Sequence, residues 1–592
     1  MAFKSLEFLR DGYGRFIEQQ QVRLSSDFEG LPLLAFLGLL CGLIAGGVIV
    51  LFRLFMEAAA GQIMPDGNVE GFEGLSRSAR FWLCVGGGLL VGLLLRLVKP
   101  KHRNVGVVHV IERLDYHQGY LPPKNALVQF IAASISLLSG HSVGREGPSV
   151  HLGATAGSVL GRRLRVPNNG VRILIGCGAA AAIAAAFNTP LAGVIFAMEV
   201  VMMEYSVIGF TPVIIAAVSS TTLTRIVFGD DTAFTVPDFK ISTINEIPIV
   251  LIMGGIIGCI SAAFIQITLF TSSLFLSQAI WIRTLLAGAV TGCVALFLPQ
   301  IMGTGYDTVN HVLLAQIGLA GVLLLTIAKT LTSAAAIGLG IPAGLIGPTL
   351  FIGASAGSAI GLFAASLFPD LASASVYALL GMAAMMAATL QAPLAALIFL
   401  LELTTNQKII LPGMTAVITA SLVTRVVFKK SSIYRHLMLS RGLDYRNTPM
   451  SKALRGIGVA SVMERHIIKH DRYISRSAAG ELLKQEPRWI LLTDAEDQRK
   501  NSLLPATDLA RHLKELDQQP DVDVDLSIDL RRIPAKRLDT ASVEIIATLQ
   551  EAHEKMMASG CEVLFINGAH RSTRLRIYGV ITREHIESSY RV

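Results

Sequence analysis

Long uncharged apolar segments fill most of the first 430 residues of the chain. Segments 33–52, 247–282, 330–369 and 371–401 contain no Asp, Glu, Lys or Arg, and are 20, 36, 40 and 31 residues long. A helix that crosses a bilayer needs about 20 such residues. Several of these segments therefore hold more than one helix, and the pattern predicts an all-α, polytopic membrane protein.

The charged residues between these segments predict the orientation. A second apolar span, 81–95, is followed by a basic loop, which contains Arg96, Lys99, Lys101 and Arg103. Basic loops stay on the cytoplasmic side, so the amino terminus, two spans earlier, is expected to be cytoplasmic. Residues 1–30 mix both signs of charge without a short apolar core, which predicts a cytoplasmic segment and no secretory signal. We expect a multi-pass protein of the cell membrane, the inner membrane in bacteria.

The amino-acid composition narrows the range of expected partners and functions. The 592 residues are 52% hydrophobic and 16% charged, with a net charge of +8. Without a compact basic motif, this charge indicates lipid headgroups as the partner, and nucleic acid is not expected. The six cysteines are isolated, which predicts neither a disulfide framework nor a metal cluster. No pattern predicts covalent catalysis, a metal or a redox cofactor, so we do not expect an enzyme.

The membrane region contains a duplication. Residues 347–361 repeat residues 147–161 with 8 of 15 positions identical, and residues 393–402 repeat 190–199 with 6 of 10 identical. Glycine- and proline-interrupted helices at matching places in two halves mark the binding site in many transporters. Small-residue stretches also serve close helix packing alone, but two matches in the same order favour a duplicated transport unit.

The most unusual segment is Gly144-Arg145-Glu146-Gly147-Pro148. It places an Arg-Glu pair at the start of a small-residue helix within the membrane region. Pro148 suits a first helical turn, and the glycines leave backbone N–H groups uncovered at the positive end of the helix dipole. This arrangement predicts an anion site that already has a carboxylate beside it.

These motifs resemble the CLC family of chloride channels and proton/chloride antiporters, over about residues 31–440. The resemblance implies two inverted-topology repeats of broken helices, about 31–228 and 247–440. It also implies a homodimer with one chloride pathway in each subunit. Residues 144–148 match the glutamate-gate motif of the family, so Glu146 is expected to be the gate. The alternative for Glu146 is a structural ion pair with Arg145.

The resemblance also implies an anion site. Residues 343–348 resemble the second anion loop of the family, and Tyr434 falls at the place of its pore tyrosine, although a tyrosine beside lysines is also typical of the membrane interface. The residues expected around the anion are Val105, Gly106, Arg145, Gly147, Leu345, Ile346, Gly347 and Tyr434.

Two departures from the family bear on mechanism. Val105 stands where the family commonly has an anion-binding serine, which weakens the expected preference for chloride. Val200 follows Glu199, where the antiporters of the family have a second glutamate that relays protons. Glu204 lies four residues after Val200, which on a regular helix places both on the same face, so Glu204 is a candidate substitute. The sequence therefore favours passive, channel-like chloride conduction gated by Glu146. Proton/chloride antiport is the alternative, and a membrane-bound sensor that works through its C-terminal region is a more distant one.

Residues 441–592 have the mixed composition of a soluble α/β domain. Two predicted strands, 489–494 and 562–566, are each followed by a turn, a short strand and a helix. This region resembles the tandem CBS pair of many CLC proteins, which is a cytoplasmic module, so the carboxyl terminus is also expected to be cytoplasmic. By that resemblance Asp508 and Thr582 are candidate contacts for an adenosine nucleotide. Each unit keeps only half of the usual motif, so a structural role is equally consistent.

The departure at Val105 gives a prediction. Val105→Ser restores a hydroxyl, and we expect it to shift the preference for chloride over nitrate by up to about tenfold, which corresponds to one hydrogen bond of about 1.5 kcal/mol. Flux measurements with each anion in vesicles check this. An unchanged preference would show that residue 105 does not line the pathway.

Overall fold

The computed structural model describes residues 30–65, 67–230, 233–237, 246–368, 373–443, 449–492, 502–517, 527–535, 538–568 and 577–590. Most of the N-terminal segment predicted to be cytoplasmic, residues 1–29, lies outside this part, as do residues 493 and 494 of the first predicted C-terminal strand. The chain forms two compact units. Among the described residues, the larger unit comprises those of Leu34–Arg162 and Val171–Tyr445, and the smaller one comprises those of Arg446–Val592 with residues 30–33 and Arg163–Gly170.

The membrane region is helical throughout its described residues. Its helices are α1 (Leu31–Ile63), α2 (Arg77–Leu97), α3 (Gly106–Tyr116), α4 (Pro123–Leu138), α5 (Glu146–Arg163), α6 (Asn168–Phe187), α7 (Pro190–Phe196), α8 (Val207–Phe228), α9 (Ile247–Leu274), α10 (Ile280–Ala295), α11 (Tyr306–Leu313), α12 (Leu319–Gly338), α13 (Ile346–Leu367), α14 (Ala374–Leu390), α15 (Pro393–Thr404), α16 (Ile410–Leu422) and α17 (Ile433–Leu439). Helix α7 continues as a π-helix over Ala197–Met202, and α16 continues as one over Val423–Val427.

The predicted membrane architecture is confirmed. Within the described residues, eight helices are long and apolar enough to cross a bilayer. Each of the three longest uncharged segments is divided between two helices: α9 and α10, α12 and α13, and α14 and α15. Two of the three breaks fall at glycine or proline positions, namely Gly340 before α13 and Pro393 at the start of α15.

The two repeats fold alike. Helices α5 and α13 begin at Glu146 and Ile346, 200 residues apart, and both have a proline in the first turn. Helices α7 and α15 both begin with the proline of the second repeated motif. The duplicated sequence therefore gives duplicated broken helices, as predicted.

Glu199 and Glu402 each cap the start of a helix in the opposite repeat. The Glu199 carboxylate accepts the N–H groups of Leu394 at 3.3 Å and Ala395 at 2.7 Å, in the first turn of α15. The Glu402 carboxylate accepts those of Leu191 at 2.9 Å and Ala192 at 2.7 Å, in the first turn of α7. The positive ends of these two helices are thus neutralised by carboxylates from the other half.

The smaller unit is α/β, as predicted for the C-terminal region. Its strands are β1 (Ile467–His470), β2 (Tyr473–Ser475), β3 (Trp489–Leu492), β4 (Ser502–Pro505), β5 (Ser527–Asp529), β6 (Leu538–Glu544), β7 (Val563–Asn567) and β8 (Ile577–Thr582). Its helices are α18 (Pro449–Gly456), α19 (Val459–Val462), α20 (Arg476–Lys484), α21 (Ala506–Asp517), α22 (Leu549–Ser559) and α23 (Arg583–Tyr590).

The strands form a six-stranded sheet in the order β1-β3-β4-β6-β7-β8, and β2 pairs separately with β5. The hairpin β3-β4 leads into α21, and the hairpin β7-β8 leads into α23. These are the two strand–turn–strand–helix units that the sequence predicts.

The reciprocal caps give a prediction about stability. Glu199→Ala and Glu402→Ala each leave two N–H groups of a helix start without their carboxylate, and we expect each to cost about 1–3 kcal/mol. Thermal unfolding of the purified protein in detergent should therefore shift downward by similar amounts in the two variants. A large loss in one variant and none in the other would contradict the equivalence of the two caps.

Candidate functional site

The two broken helices α5 and α13 meet through glycines. The N–H of Gly144 donates to the carbonyl of Gly344 at 2.7 Å, and the N–H of Gly344 donates back at 2.6 Å. A Cβ atom on Gly147 would lie 2.6 Å from the Gly344 Cα, so the backbones approach more closely than any side chain allows. This contact brings two helix N-termini together inside the membrane region.

Glu146 lies at this junction and is completely buried. Its Oε2 accepts the N–H of Gly347 at 3.1 Å, in the first turn of α13, and its Oε1 accepts the hydroxyl of Tyr306. Arg145 Nε lies 3.9 Å from Oε1. The carboxylate of one repeat therefore occupies a backbone donor at the helix start of the other, which is where an anion would bind.

No sequence pattern indicates Tyr306 as a residue of the site. It is the first residue of α11, buried against the rings of Phe234 and Phe187 at centroid distances of 4.8 and 6.2 Å. The Arg145 guanidinium lies 5.2 Å from the ring centre. Tyr306 is 160 residues from Glu146 along the chain, and no motif shared by the two could have indicated the contact.

A cavity of about 550 Å³ opens on one side of Glu146. We call it the outer cavity, because residues 67–70, which line it, lie at the end of α2 opposite the basic loop that the sequence predicts to be cytoplasmic. Its walls carry charged and hydroxyl groups, namely Arg53, Glu57, Glu70, Arg145, Thr304, Tyr306 and Asp307.

A second cavity, of about 450 Å³, lies at the end of α2 that carries the basic loop, and we call it the inner cavity. Five of the predicted anion-site residues line it: Val105, Gly106, Gly147, Leu345 and Tyr434. The other three lie elsewhere. Arg145 lines the outer cavity, Gly347 donates to Glu146, and Ile346 is buried at the start of α13.

The inner cavity has the chemistry that an anion requires. Tyr434 is buried, and within the described residues its hydroxyl has no hydrogen-bond partner. Three arginines also line the cavity: Arg103, Arg283 and Arg441. Val105 contributes only an apolar surface and precedes Gly106, whose φ of +81° begins α3. A hydroxyl and positive charges are therefore available to an anion without a donor at residue 105.

The candidate proton-relay positions lie on an irregular segment. Val200 is buried within the π-helix 197–202, and Met203 follows with a left-handed φ of 52°. The expectation that Glu204 shares a helical face with Val200 is wrong, because the helix ends before Glu204. Instead, Glu204 Oε2 lies 3.9 Å from Arg172 Nη2.

The two predicted nucleotide contacts lie at different positions of the two strand-to-helix junctions in the smaller unit. Asp508 is in the first turn of α21, 3.5 Å from Arg511 Nη1. Thr582 ends β8, and its hydroxyl accepts the N–H of His585 at 3.4 Å. Burial, with Arg488 nearby, lowers the pKa of His585. Both predicted contacts thus have local partners at the starts of their helices.

The chain is similar in sequence to known membrane transport proteins. The sequence model described as voltage gated chloride channel matches residues 87–425. A protein of Ralstonia nicotianae named as a ClcB-like chloride channel is 32% identical over 398 residues, which cover 65% of this chain and 92% of the relative. The H(+)/Cl(-) exchange transporter ClcA of Vibrio cholerae is 31% identical over 295 residues, which cover 48% of this chain and 63% of the exchanger.

Solved structures show the same fold. A slow cyanobacterial Cl-/H+ antiporter superposes with a TM-score of 0.61 at 23% identity, covering 70% of this chain and 99% of that chain. A eukaryotic CLC transporter superposes with a TM-score of 0.57 at 18% identity, covering 93% of this chain and 97% of that chain. The family match spans more than half of the chain and includes the junction around Glu146, so this protein belongs to the CLC family of voltage-gated chloride channels.

Proposed function

We propose that the protein exchanges chloride for protons across the membrane, and that Glu146 serves both ions. Chloride transport follows from membership of the CLC family. The observation that carries the proposal is the buried Glu146 carboxylate on the Gly347 amide, with one cavity on the side of Arg145 and another on the side of Gly147.

When it is bound to the Gly347 amide, the Glu146 carboxylate blocks the path between the outer and inner cavities. An ionised carboxylate is a strong acceptor for the Gly347 N–H and the Tyr306 hydroxyl, whereas a protonated one is weaker. Protonation therefore favours release of the side chain, and a chloride ion takes its place at the backbone donor. Because one site accepts either a tethered or a free anion, chloride occupancy and protonation become linked.

The similarity to known exchangers supports proton/chloride exchange over the passive conduction that the sequence favours. Relatives named as H(+)/Cl(-) exchange transporters are 31% identical, although this chain spans less than two thirds of their length. The membrane region also contains titratable groups away from Glu146. His109 Nδ1 and His151 Nε2 are buried and 2.9 Å apart, and His151 lies on the helix that begins at Glu146.

Passive conduction remains the second candidate, and the relay position favours it. Val200 cannot carry a proton, and the neighbouring Glu199 carboxylate is occupied by the α15 cap. If protons do cross, Glu204 or the histidine pair takes the place of the missing relay. Glu204→Gln and His151→Gln would then identify which one, since only the true relay loses proton flux while keeping chloride flux.

The remaining assignments support this function without being needed for it. By family resemblance we propose a homodimer in the cell membrane with cytoplasmic termini, in which each subunit carries its own pathway. The C-terminal α/β unit is proposed to regulate transport, with Asp508 and Thr582 as candidate nucleotide contacts. The sensor alternative, in which this unit is the working part, predicts that its removal abolishes function.

The exchange proposal predicts uphill proton movement. In vesicles that contain the purified protein, an imposed chloride gradient should drive protons against their own gradient. Glu146→Gln imitates the protonated gate, so it should retain chloride flux, lose its acid activation and abolish proton movement. Chloride flux without any coupled proton movement in the wild type would support the channel instead, and unchanged acid activation in Glu146→Gln would refute the gate.

A further inference from the structure

The outer cavity contains a carboxylate, Glu70, that the exchange mechanism does not use. Glu70 lies in the loop between α1 and α2, yet it binds the start of α11. Its Oε2 accepts the N–H of Asp307 at 2.9 Å, and the hydroxyl of Thr304 donates to its Oε1. Both oxygens of the Glu70 side chain are thus bound to a segment more than 200 residues away in sequence.

The Asp307 carboxylate accepts the N–H of Thr308 at 2.7 Å within the first turn, but the N-cap position of α11 provides no side-chain cap. The residue at that position is Gly305, which has a φ of +75° and no side chain to accept an N–H group of the first turn. Side-chain caps stabilise helix starts, and a carboxylate also complements the positive end of the helix dipole. Glu70 supplies both effects from a separate loop, so the position of the first turn of α11 depends on it.

The first residue of that turn is Tyr306, whose hydroxyl donates to the Glu146 carboxylate. Asp307, which receives the cap, is the next residue in the chain. A continuous series of hydrogen bonds and one peptide unit therefore joins Glu70 to the gate. Weakening the cap is therefore expected to loosen Tyr306, whose hydroxyl holds the Glu146 carboxylate in place.

Several charged groups surround Glu70. Lys329 of α12 is buried and donates to the carbonyls of Ile301 and Gly303, at 2.9 and 3.0 Å, in the same loop as Thr304. The titratable groups that face Glu70, or share its cavity wall, come from four parts of the chain: Asp307 and Tyr306 of α11, Arg145 before α5, Lys329 of α12, and the Arg53–Glu57 pair of α1.

Burial and the adjacent Asp307 carboxylate raise the pKa of Glu70 well above that of an ordinary glutamate. A raised pKa means that Glu70 takes up a proton at a higher pH than an exposed carboxyl group does. The charged cap is therefore present above the raised pKa and is lost as the pH in the outer cavity falls through it.

We propose that Glu70 is a positioning residue for the gate, and that its protonation from the outer cavity loosens Tyr306 and so promotes release of Glu146. This inference rests on the proposed gating role of Glu146. It adds a second acid-sensitive step, in which a proton on Glu70 weakens the cap before or together with protonation of the gate itself.

The sign of the effect separates this role from simple electrostatics. If Glu70 acted only through its negative charge, neutralising it would make protonation of Glu146 harder and reduce chloride flux at a given pH. If Glu70 acts by holding Tyr306, neutralising it should release the gate and increase the flux.

The test compares Glu70→Gln with Glu73→Gln, an exposed glutamate of the same loop with the same change of charge. Chloride flux into vesicles is measured over a range of external pH. We expect Glu70→Gln to raise flux by about fivefold, the effect of losing one cap, at pH values above the raised Glu70 pKa of about 8, where the wild-type cap is charged, and to make the pH dependence shallower. Glu73→Gln should match the wild type in both respects.

A double variant tests the route through Tyr306. Tyr306→Phe removes the hydroxyl, so adding Glu70→Gln to it should change flux by less than about twofold, the limit expected when two changes act through one contact. The full single-variant effect in the Tyr306→Phe background, a reduced flux in Glu70→Gln, or a wild-type pH profile would each overturn the proposal.

Two further variants, Thr304→Ala and Glu146→Gln, separate the proposed role of Glu70 from a folding defect and from the gating role of Glu146. If Glu70→Gln does not fold, Thr304→Ala removes one of its donors while retaining the charge, and it should raise flux in the same direction; no change in flux would overturn the proposal. The flux of Glu146→Gln reports on the gate separately. A normal gate result with an inert Glu70 would refute this inference alone, whereas retained acid activation in Glu146→Gln would refute the gating role on which it rests.

Discussion

The hydrogen bond from the Gly347 amide to the Glu146 carboxylate is the contact on which the rest of the site depends. It forms only because Gly144 and Gly344 pair across the two repeats, and because glycine at 147 lets the backbones approach within van der Waals distance. A buried carboxylate is costly without strong donors, and here a helix N-terminus and a tyrosine hydroxyl supply them. The same donors suit a chloride ion. The need to supply donors to a buried negative charge therefore accounts for both the binding of the Glu146 carboxylate and the anion site.

The duplication explains why such a junction is stable. Glu199 and Glu402 cap the helices of the opposite repeat, and Gly144 and Gly344 bond to each other, so each half completes the other. Backbone groups without hydrogen-bond partners are destabilising in a membrane, and broken helices leave such groups at their ends. Pairing two copies of the same broken helices satisfies these groups.

Much of this could be predicted from the sequence because it is encoded locally. Uncharged segment lengths predicted the helices, and the repeat at an offset of 200 predicted the matching starts of α5 and α13. The contacts of Tyr306 and Glu70 could not be predicted, because they join residues far apart in the chain and carry no spacing pattern. The error at Glu204 had another cause. The rule for residues four apart assumes a regular α-helix, whereas a π-helix and a left-handed Met203 intervene.

The central claim is that the Glu146 carboxylate and chloride compete for the Gly347 amide. Bromide, a chloride substitute with strong anomalous scattering, can locate the anion directly in crystals of the wild type and of Glu146→Ala. The account predicts a bromide ion within hydrogen-bond distance of the Gly347 nitrogen in Glu146→Ala, and none there in the wild type at neutral pH. Bromide bound at that nitrogen beside a seated wild-type carboxylate, or a vacant nitrogen in Glu146→Ala when the inner cavity holds bromide, would contradict it.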